Sequence, residues 1–148
     1  CVLDASEVAS DAPSYTVHTL ERLRREAGAD RPLVLLMGAD AFRGLASWHR
    51  WQEIFGLAHI AVATRPGFPL TGFAAPLAGE FAARRRPASA DFSGKPGGGI
   101  HIFELVAGTV SATAVRARIA AGAPDAELRQ LLPAPVLDYI RKHHLYRA

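Results

Sequence analysis

The sequence is poor in cysteine and in long apolar runs. Cys1 is the only cysteine among 148 residues, so a disulfide within the chain is excluded and a reducing cytoplasm is the expected location. Apolar stretches such as 33–37 and 60–63 are far shorter than the roughly 20 residues that cross a bilayer. The first residues lack the basic start and apolar stretch of a secretory signal. We therefore expect a soluble protein without a membrane partner.

Several kinds of functional site are also missing. The six histidines have no metal-ligand spacing, since His143 and His144 are adjacent and point apart on a helix, so no protein metal site is expected. No nucleophile with a partnered base is visible. The arginine run 84–86 has no aromatic residues interleaved with it, which argues against a nucleic-acid partner. The proline- and glycine-rich segment 84–99 around it is predicted to be a mobile surface loop.

The overall composition favours one globular domain over residues 1–148. Hydrophobic residues make up 49% and charged residues 21% of the chain, which is enough apolar material for a proper core. The net charge of +3 and the pI near 9.5 suit ligands that carry phosphate, but do not require them. Whether the chain forms a homo-oligomer is left open.

Helical and strand patterns alternate along the chain. Apolar residues recur at helical spacing over 15–27, which predicts an amphipathic helix capped by Ser14 or Thr16 and ended by Gly28. Residues 39–56 have helical composition interrupted near Gly44. Three apolar segments predict strands, the first two of them buried on both faces: 33–37, 59–64 and 100–105. Later helices are predicted over 112–121 and 135–143. This α/β alternation predicts a parallel sheet with helices on both faces.

The carboxyl ends of parallel strands are where ligands bind in such sheets. Gly38 and Asp40 directly follow the first strand; the glycine would let a ligand approach the backbone, and the carboxylate would accept hydrogen bonds from ribose hydroxyls. An alternative is that Asp40 merely caps a helix.

A second such segment follows the third strand. Ser111 is placed to cap a helix whose free N–H groups and positive dipole end favour an anion. Arg116 lies in the first turns of that helix, where a cation is unfavourable unless an anion offsets it. The alternative is an ordinary surface helix with Arg116 paired to a carboxylate.

A third segment contains two tryptophans. Trp48 and Trp51 are three residues apart and are predicted to share a helix face, with one of them packed in the core against Ile54 and Phe55. The other could offer its flat face to a planar ring.

Taken in order, six segments resemble bacterial nicotinate-nucleotide adenylyltransferase. They are residues 14–17, 38–40, 48–51, 63–67, 110–116 and the closing stretch 132–146. The resemblance spans essentially the whole chain. It implies a Rossmann-like nucleotidyltransferase fold, and transfer of the adenylyl group of ATP, with Mg²⁺, to nicotinate mononucleotide in NAD biosynthesis.

The resemblance also implies roles for individual residues. Those implied to bind ATP are Gly38, Asp40, Ser111, Thr113 and Arg116, and of these Ser111 and Arg116 are the catalytic pair that would hold the phosphates. Those implied to bind nicotinate mononucleotide are Tyr15, Thr16, Trp48, His49 and Arg65. Trp48 would stack on the nicotinate ring, while backbone N–H groups near Thr16 and His49 would meet its carboxylate.

One departure from the family pattern is large. The family begins with a strand and a glycine-rich turn that carry a His-x-Gly-His motif, and no such motif occurs here. A βαβ unit takes about 30 residues, so we expect the front portion to be absent from this chain and the chain alone to be catalytically weak. Two alternatives stay open: a related transferase for another phosphorylated acceptor such as phosphopantetheine, and a non-catalytic nucleotide-binding module.

Overall fold

The computed structural model describes residues 2–9, 13–65, 70–87, 91–105 and 110–146. Contacts between Cα atoms divide the chain into two compact units, Cys1–Val106 and Ala107–Ala148. The single-domain organisation and the mobility of 84–99 stay predictions. None of the described helices is long and apolar enough to cross a bilayer.

The first unit is built on a three-stranded parallel sheet. Its strands, in the spatial order β1-β2-β3, are β1 (Val34–Gly38), β2 (His59–Thr64) and β3 (Ile100–Glu104). Val34 pairs with His59 at one end of β1, and Gly38 pairs with Ala63 at the other. Because all three strands run the same way, their carboxyl ends meet at one edge of the sheet. The predicted parallel α/β architecture is confirmed.

Four helices accompany this sheet. They are α1 (Thr16–Ala27), α2 (Ala39–Arg43), α3 (Ile54–Leu57) and α4 (Ala75–Arg84). Two 3₁₀ turns, Leu45–Ser47 and Trp51–Glu53, lie between α2 and α3, which confirms the interruption expected near Gly44. Helix α4 was not predicted from the sequence.

The core of the first unit lies between the sheet and these helices. Its buried side chains include Val17 of α1, Phe42 of α2, Ile54 of α3 and Leu77 of α4, all fully inaccessible to solvent. Each helix therefore contributes an apolar residue to one shared core.

Two local predictions were wrong. The first strand is not buried on both faces, because Val34 and Leu36 are 43% and 65% exposed while Met37 is buried. β1 is one of the two edge strands of the described sheet, and its face with Val34 and Leu36 is left exposed by the described elements. Helix α1 is not capped by Ser14 or Thr16 either; its N-cap is Tyr15, whose extended backbone precedes the helix without a side-chain hydrogen bond. Its end at Gly28, with φ of 88°, agrees with the prediction.

The second unit contains three short helices around a small apolar core. They are α5 (Ala112–Ala120), α6 (Asp125–Leu128) and α7 (Ala134–Lys142). Val115 and Ile119 of α5 pack with Leu128, Leu137 and Ile140. Helices α5 and α7 match their predicted positions to within one residue at each end, whereas the four-residue α6 was not predicted.

Candidate functional site

A pocket of about 310 Å³ lies at the carboxyl ends of the three strands. It is lined by Gly38, Ala39, Asp40, Arg43, Ala63, Thr64, Arg65 and Leu105. The parallel pairing explains this grouping, because it aligns the ends of β1, β2 and β3. This is the position at which open parallel sheets bind ligands.

Gly38 is not required by packing. Its φ is −77°, which any residue adopts, and a Cβ built on it would meet no protein atom within 4 Å. Open space therefore lies beside the backbone at the end of β1, and a ligand can approach it there. The glycine predicted from the sequence to admit a ligand does border such a space.

Asp40 does not act as a helix cap. Gly38 occupies the N-cap position of α2, and Asp40 lies in its first turn with its side chain fully exposed. One of its carboxylate oxygens, Oδ1, accepts a hydrogen bond from Nη1 of Arg43 at 2.8 Å. The carboxylate therefore faces solvent at the pocket and still has acceptor capacity for a hydroxyl group.

A second pocket of about 300 Å³ lies at the start of α1. It is lined by Ser14, Tyr15, Thr16, Ser47, Trp48 and His49. The rings of Tyr15 and His49 lie 4.4 Å apart with a 33° tilt between their planes. The structure thus brings together four residues predicted from the sequence to share one site: Tyr15, Thr16, Trp48 and His49.

The amino terminus of α1 borders this second pocket. The helix is 12 residues long and no side chain caps its start. Its first N–H groups have no partner within the helix, and the helix dipole places partial positive charge there. This end of the pocket therefore favours a carboxylate or another anion.

The two tryptophans have different surroundings. Trp48 lines the second pocket and is half-buried against the core. Trp51 is also half-buried against the core and packs edge-to-face on Phe55, with ring centroids 6.1 Å apart. The predicted shared helix face was wrong, because Arg50 between them has φ of 50° and breaks the helix.

Ion pairs hold the turn that follows His49. The Arg50 guanidinium donates to the carboxylates of Glu21 and Glu53, at 2.7 Å and 2.5 Å. These hydrogen bonds lower the pKa of Glu53 and raise that of Arg50. They link the turn to α1, which also carries the pocket residue Thr16.

His18 was missed by the sequence analysis. Its ring contacts Tyr15 and His49 edge-on, with centroid distances of 5.6 Å and 5.7 Å. The available signal was its spacing, since a residue three positions after Tyr15 on α1 lies on the same helix face. Ser47, Arg43 and Thr64 also line the pockets without having been predicted to do so.

In the second unit, Ser111 caps α5 as predicted. Its Oγ accepts a hydrogen bond from the N–H of Ala114 at 3.1 Å. Arg116 is exposed and donates to Oγ1 of Thr113 at 3.4 Å. In the described part of the chain no carboxylate pairs with Arg116, so the alternative in which an ion pair offsets this cation receives no support.

The predicted site residues thus fall into three groups. Gly38, Asp40 and Arg65 share the first pocket, although Arg65 was assigned to the other substrate. Tyr15, Thr16, Trp48 and His49 share the second pocket, and Ser111, Thr113 and Arg116 lie on α5 in the second unit. No group of three or more residues able to ligate a metal was found within the described ranges.

Residues 2–118 match the sequence model of the cytidylyltransferase-like family. The chain therefore belongs to the cytidylyltransferase-like family. A parallel sheet with a ligand-accessible carboxyl edge agrees with this membership.

Among curated relatives, the chain is similar to a probable nicotinate-nucleotide adenylyltransferase of Dechloromonas aromatica. The two are 54% identical over 147 residues, covering 98% of this chain and 66% of the relative. A protein of the same description from Stenotrophomonas maltophilia is 46% identical over 140 residues, covering 92% of this chain and 60% of the relative. The chain thus spans slightly less than two thirds of the length of these relatives.

Solved structures give the same fold. A structure titled Plasmodium falciparum nicotinic acid mononucleotide adenylyltransferase complexed with NaAD superposes with a TM-score of 0.58. The sequences are 13% identical, and the match covers 92% of this chain and 58% of the other. Another structure of that protein, titled as complexed with APC, gives a TM-score of 0.59 at 12% identity. At such low identity the match shows the fold of this cytidylyltransferase-like chain.

Proposed function

We propose that the protein transfers the adenylyl group of ATP to nicotinate mononucleotide, forming deamido-NAD and pyrophosphate. A phosphate oxygen of the mononucleotide attacks the α-phosphorus of ATP, and the bond from that phosphorus to the pyrophosphate leaving group breaks. No protein nucleophile is needed for this step. Catalysis comes from positioning the two substrates and offsetting phosphate charge.

The pocket at the start of α1 is the observation that carries this proposal. It combines the indole of Trp48, a flat surface for a pyridine ring, with the uncapped helix end at Thr16. A nicotinate ring needs both features, because it is planar and carries a carboxylate. Nicotinamide would bind less tightly there, since its amide group offers the backbone N–H donors fewer acceptor sites than a carboxylate does.

The residues proposed for ATP have matching chemistry. Asp40 accepts hydrogen bonds from the ribose, and the bare backbone at Gly38 leaves room for the nucleoside. Ser111, Thr113 and Arg116 on α5 bind the phosphates, for which the first N–H groups of the helix are suited, as is a guanidinium without an ion-pair partner in the described part of the chain. This chemistry supports Ser111 and Arg116 as the catalytic pair.

Magnesium enters this proposal with ATP. Asp40 is the one carboxylate among the residues that line the first pocket. Mg²⁺ is commonly held by substrate phosphates and one or two carboxylates. When bound, it neutralises phosphate charge. A cytoplasmic location, and action without a nucleic-acid or membrane partner, complete the proposal.

The decisive experiment measures pyrophosphate release by the full-length natural protein with ATP, Mg²⁺ and either nicotinate or nicotinamide mononucleotide. We expect release with the nicotinate form and much less with the amide. Release with phosphopantetheine instead would support the alternative acceptor. ATP binding without release from any acceptor would support a nucleotide-binding module.

A second comparison tests the pocket at α1 directly. Replacing Thr16 with proline removes one backbone N–H at the first helical position, where proline is tolerated. The proposal expects a higher KM for nicotinate mononucleotide with ATP binding unchanged. Thr16→Ala keeps the N–H and is the matched control. Equal KM values for both variants would contradict a role for this N–H group.

A further inference from the structure

A third cavity, of about 550 Å³, lies at the opposite end of the sheet. Its lining includes the first residue of β2, His59, together with His101 near the start of β3 and the glycines 97–99 that lead into β3. Strand β2 separates it from the pocket at Thr64 by roughly 17 Å, at about 3.3 Å per residue. It shares no lining residue with either pocket of the proposed transferase.

Positive charge dominates the lining of this cavity. Arg84, Arg86 and Lys95 contribute cations, and Asp91 contributes the one carboxylate among the lining residues. Arg84 is already paired with Glu80, but Arg86 and Lys95 have no ion-pair partner within the described ranges. An anion that enters the cavity thus meets two cations whose charge is not offset by an ion pair.

A buried histidine in the lining has an unused hydrogen-bonding atom. The side chain of His101 is 6% exposed, and its Nε2 has no hydrogen-bond partner among the described residues. An unpaired buried polar group costs free energy, which a ligand atom at this position would recover. Neighbouring His59 is unlike it, since both of its ring nitrogens are engaged, with the Gly99 N–H and the Lys95 carbonyl.

Gly99 packs closely against the unused nitrogen and leaves no room for a side chain at this position. A Cβ on Gly99 would lie 3.1 Å from Nε2 of His101 and 2.9 Å from Nδ1 of His59. The Cγ of Arg86 lies 3.4 Å from the same point. Arg86, His101 and the Gly99 backbone therefore converge on one small region of the cavity.

We propose that this cavity binds a phosphate group, with Arg86 and Lys95 offsetting its charge and Nε2 of His101 donating a hydrogen bond to one of its oxygens. A volume of about 550 Å³ also falls in the range of small-molecule sites, so the phosphate belongs either to the free ion or to a nucleotide. The inference does not depend on the proposed transferase activity.

Binding changes the titration of His101. Burial, followed by the charges of His59 and Arg86, lowers the pKa of His101, so its ring is neutral at pH 7. Asp91 and Lys95 are the other charged residues near the glycine run in the lining. A bound phosphate favours the charged imidazolium and so raises this pKa towards its ordinary value.

The test is an NMR titration of the full protein with inorganic phosphate, pyrophosphate and AMP, following the His101 ring and the amides of Gly97–Gly99. We expect saturable shifts at these signals and an upward shift of the His101 pKa on binding. Tighter binding of AMP than of phosphate would identify a nucleotide as the source, and equal binding would identify the free ion. Absence of saturation in the millimolar range would overturn the proposal.

Charge variants make the test specific. Arg86→Gln and Lys95→Gln each remove one cation and are expected to weaken phosphate binding by about tenfold, as for loss of a charge-assisted hydrogen bond. Lys142→Gln removes an exposed cation that does not line the cavity and should bind phosphate normally. Unchanged affinity in both Arg86→Gln and Lys95→Gln, with native melting temperatures, would also overturn the proposal.

Discussion

The Nδ1 atom of His59 accepts a hydrogen bond from the backbone N–H of Gly99, over a distance of 3.0 Å. Because Nδ1 is the acceptor, the proton of the neutral ring lies on Nε2, which donates to the Lys95 carbonyl oxygen at 2.9 Å. One buried side chain thus joins the start of β2 to the chain segment that enters β3. The glycines of that segment are needed for this close packing.

Replacing Gly97 tests the packing. A Cβ at this position would lie 2.8 Å from backbone atoms of Ala58, which have little freedom to move. We expect Gly97→Ala to lower the free energy of unfolding by about 1–3 kcal/mol, as overpacking does. Gly79→Ala is the control, because that Cβ would meet nothing within 4 Å and should stabilise α4 by about 0.5–1 kcal/mol. Urea denaturation of both variants measures the difference.

The sequence predicted those parts of the fold that depend on local pattern. Strand β2 occurs at the predicted residues, and α1 ends at Gly28 as expected, because apolar periodicity and a glycine stop signal are local properties. Helix α4 escaped prediction: its short sequence contains a proline and a glycine, and its place depends on burying Leu77 in the core.

Long-range contacts could not be predicted in the same way. The guanidinium of Arg24 on α1 donates to the carbonyl oxygens of Leu57 and Pro96, which are distant in sequence. The cavity around His101 was missed for the same reason, since β2 and β3 must pair before the two histidines meet. The pockets at Gly38 and Trp48 were found because strand ends and the family resemblance pointed to them.

Gly38→Ala separates ligand approach from folding. The backbone at Gly38 has an ordinary φ and an added Cβ would meet no protein atom, so we expect the melting temperature to be unchanged. If ATP approaches this backbone as proposed, the methyl group should raise the KM for ATP. Thermal unfolding and steady-state kinetics on the full-length protein check both results. A normal KM would contradict close approach of ATP at this position.

The pH dependence of stability should contain a contribution from His101. Because its pKa is lowered in the folded protein, the histidine of the unfolded chain takes up a proton at a higher pH than the folded protein does. The contribution to stability is therefore fully present above the ordinary pKa of about 6.5 and is lost as the pH falls below it. In a phosphate-free buffer, we expect the melting temperature of His101→Phe to fall less between pH 7 and pH 5 than that of the native protein. If the melting temperatures of the two proteins fall in parallel with pH, His101 does not contribute to the pH dependence of stability.

Trp48 and Trp51 provide a matched pair for the proposed stacking. Trp48→Leu should raise the KM for nicotinate mononucleotide by about tenfold, equivalent to roughly 1.4 kcal/mol, because the flat face in the pocket is lost. Trp51→Leu should instead lower the melting temperature with little effect on that KM, since Trp51 packs on Phe55. Similar KM values for the two variants would argue against stacking on Trp48.

Ser111 has a structural role and a proposed catalytic role, and two substitutions separate them. Ser111→Ala removes the hydrogen bond to the Ala114 N–H and should cost about 1 kcal/mol of stability, the usual value of a helix cap. Ser111→Asp keeps a good cap and should restore stability. Its carboxylate would repel ATP phosphates at the same helix end, so we expect a much higher KM for ATP and a lower kcat than in Ser111→Ala. If Ser111→Asp is both stable and fully active, Ser111 is only a cap, and the phosphates of ATP bind elsewhere.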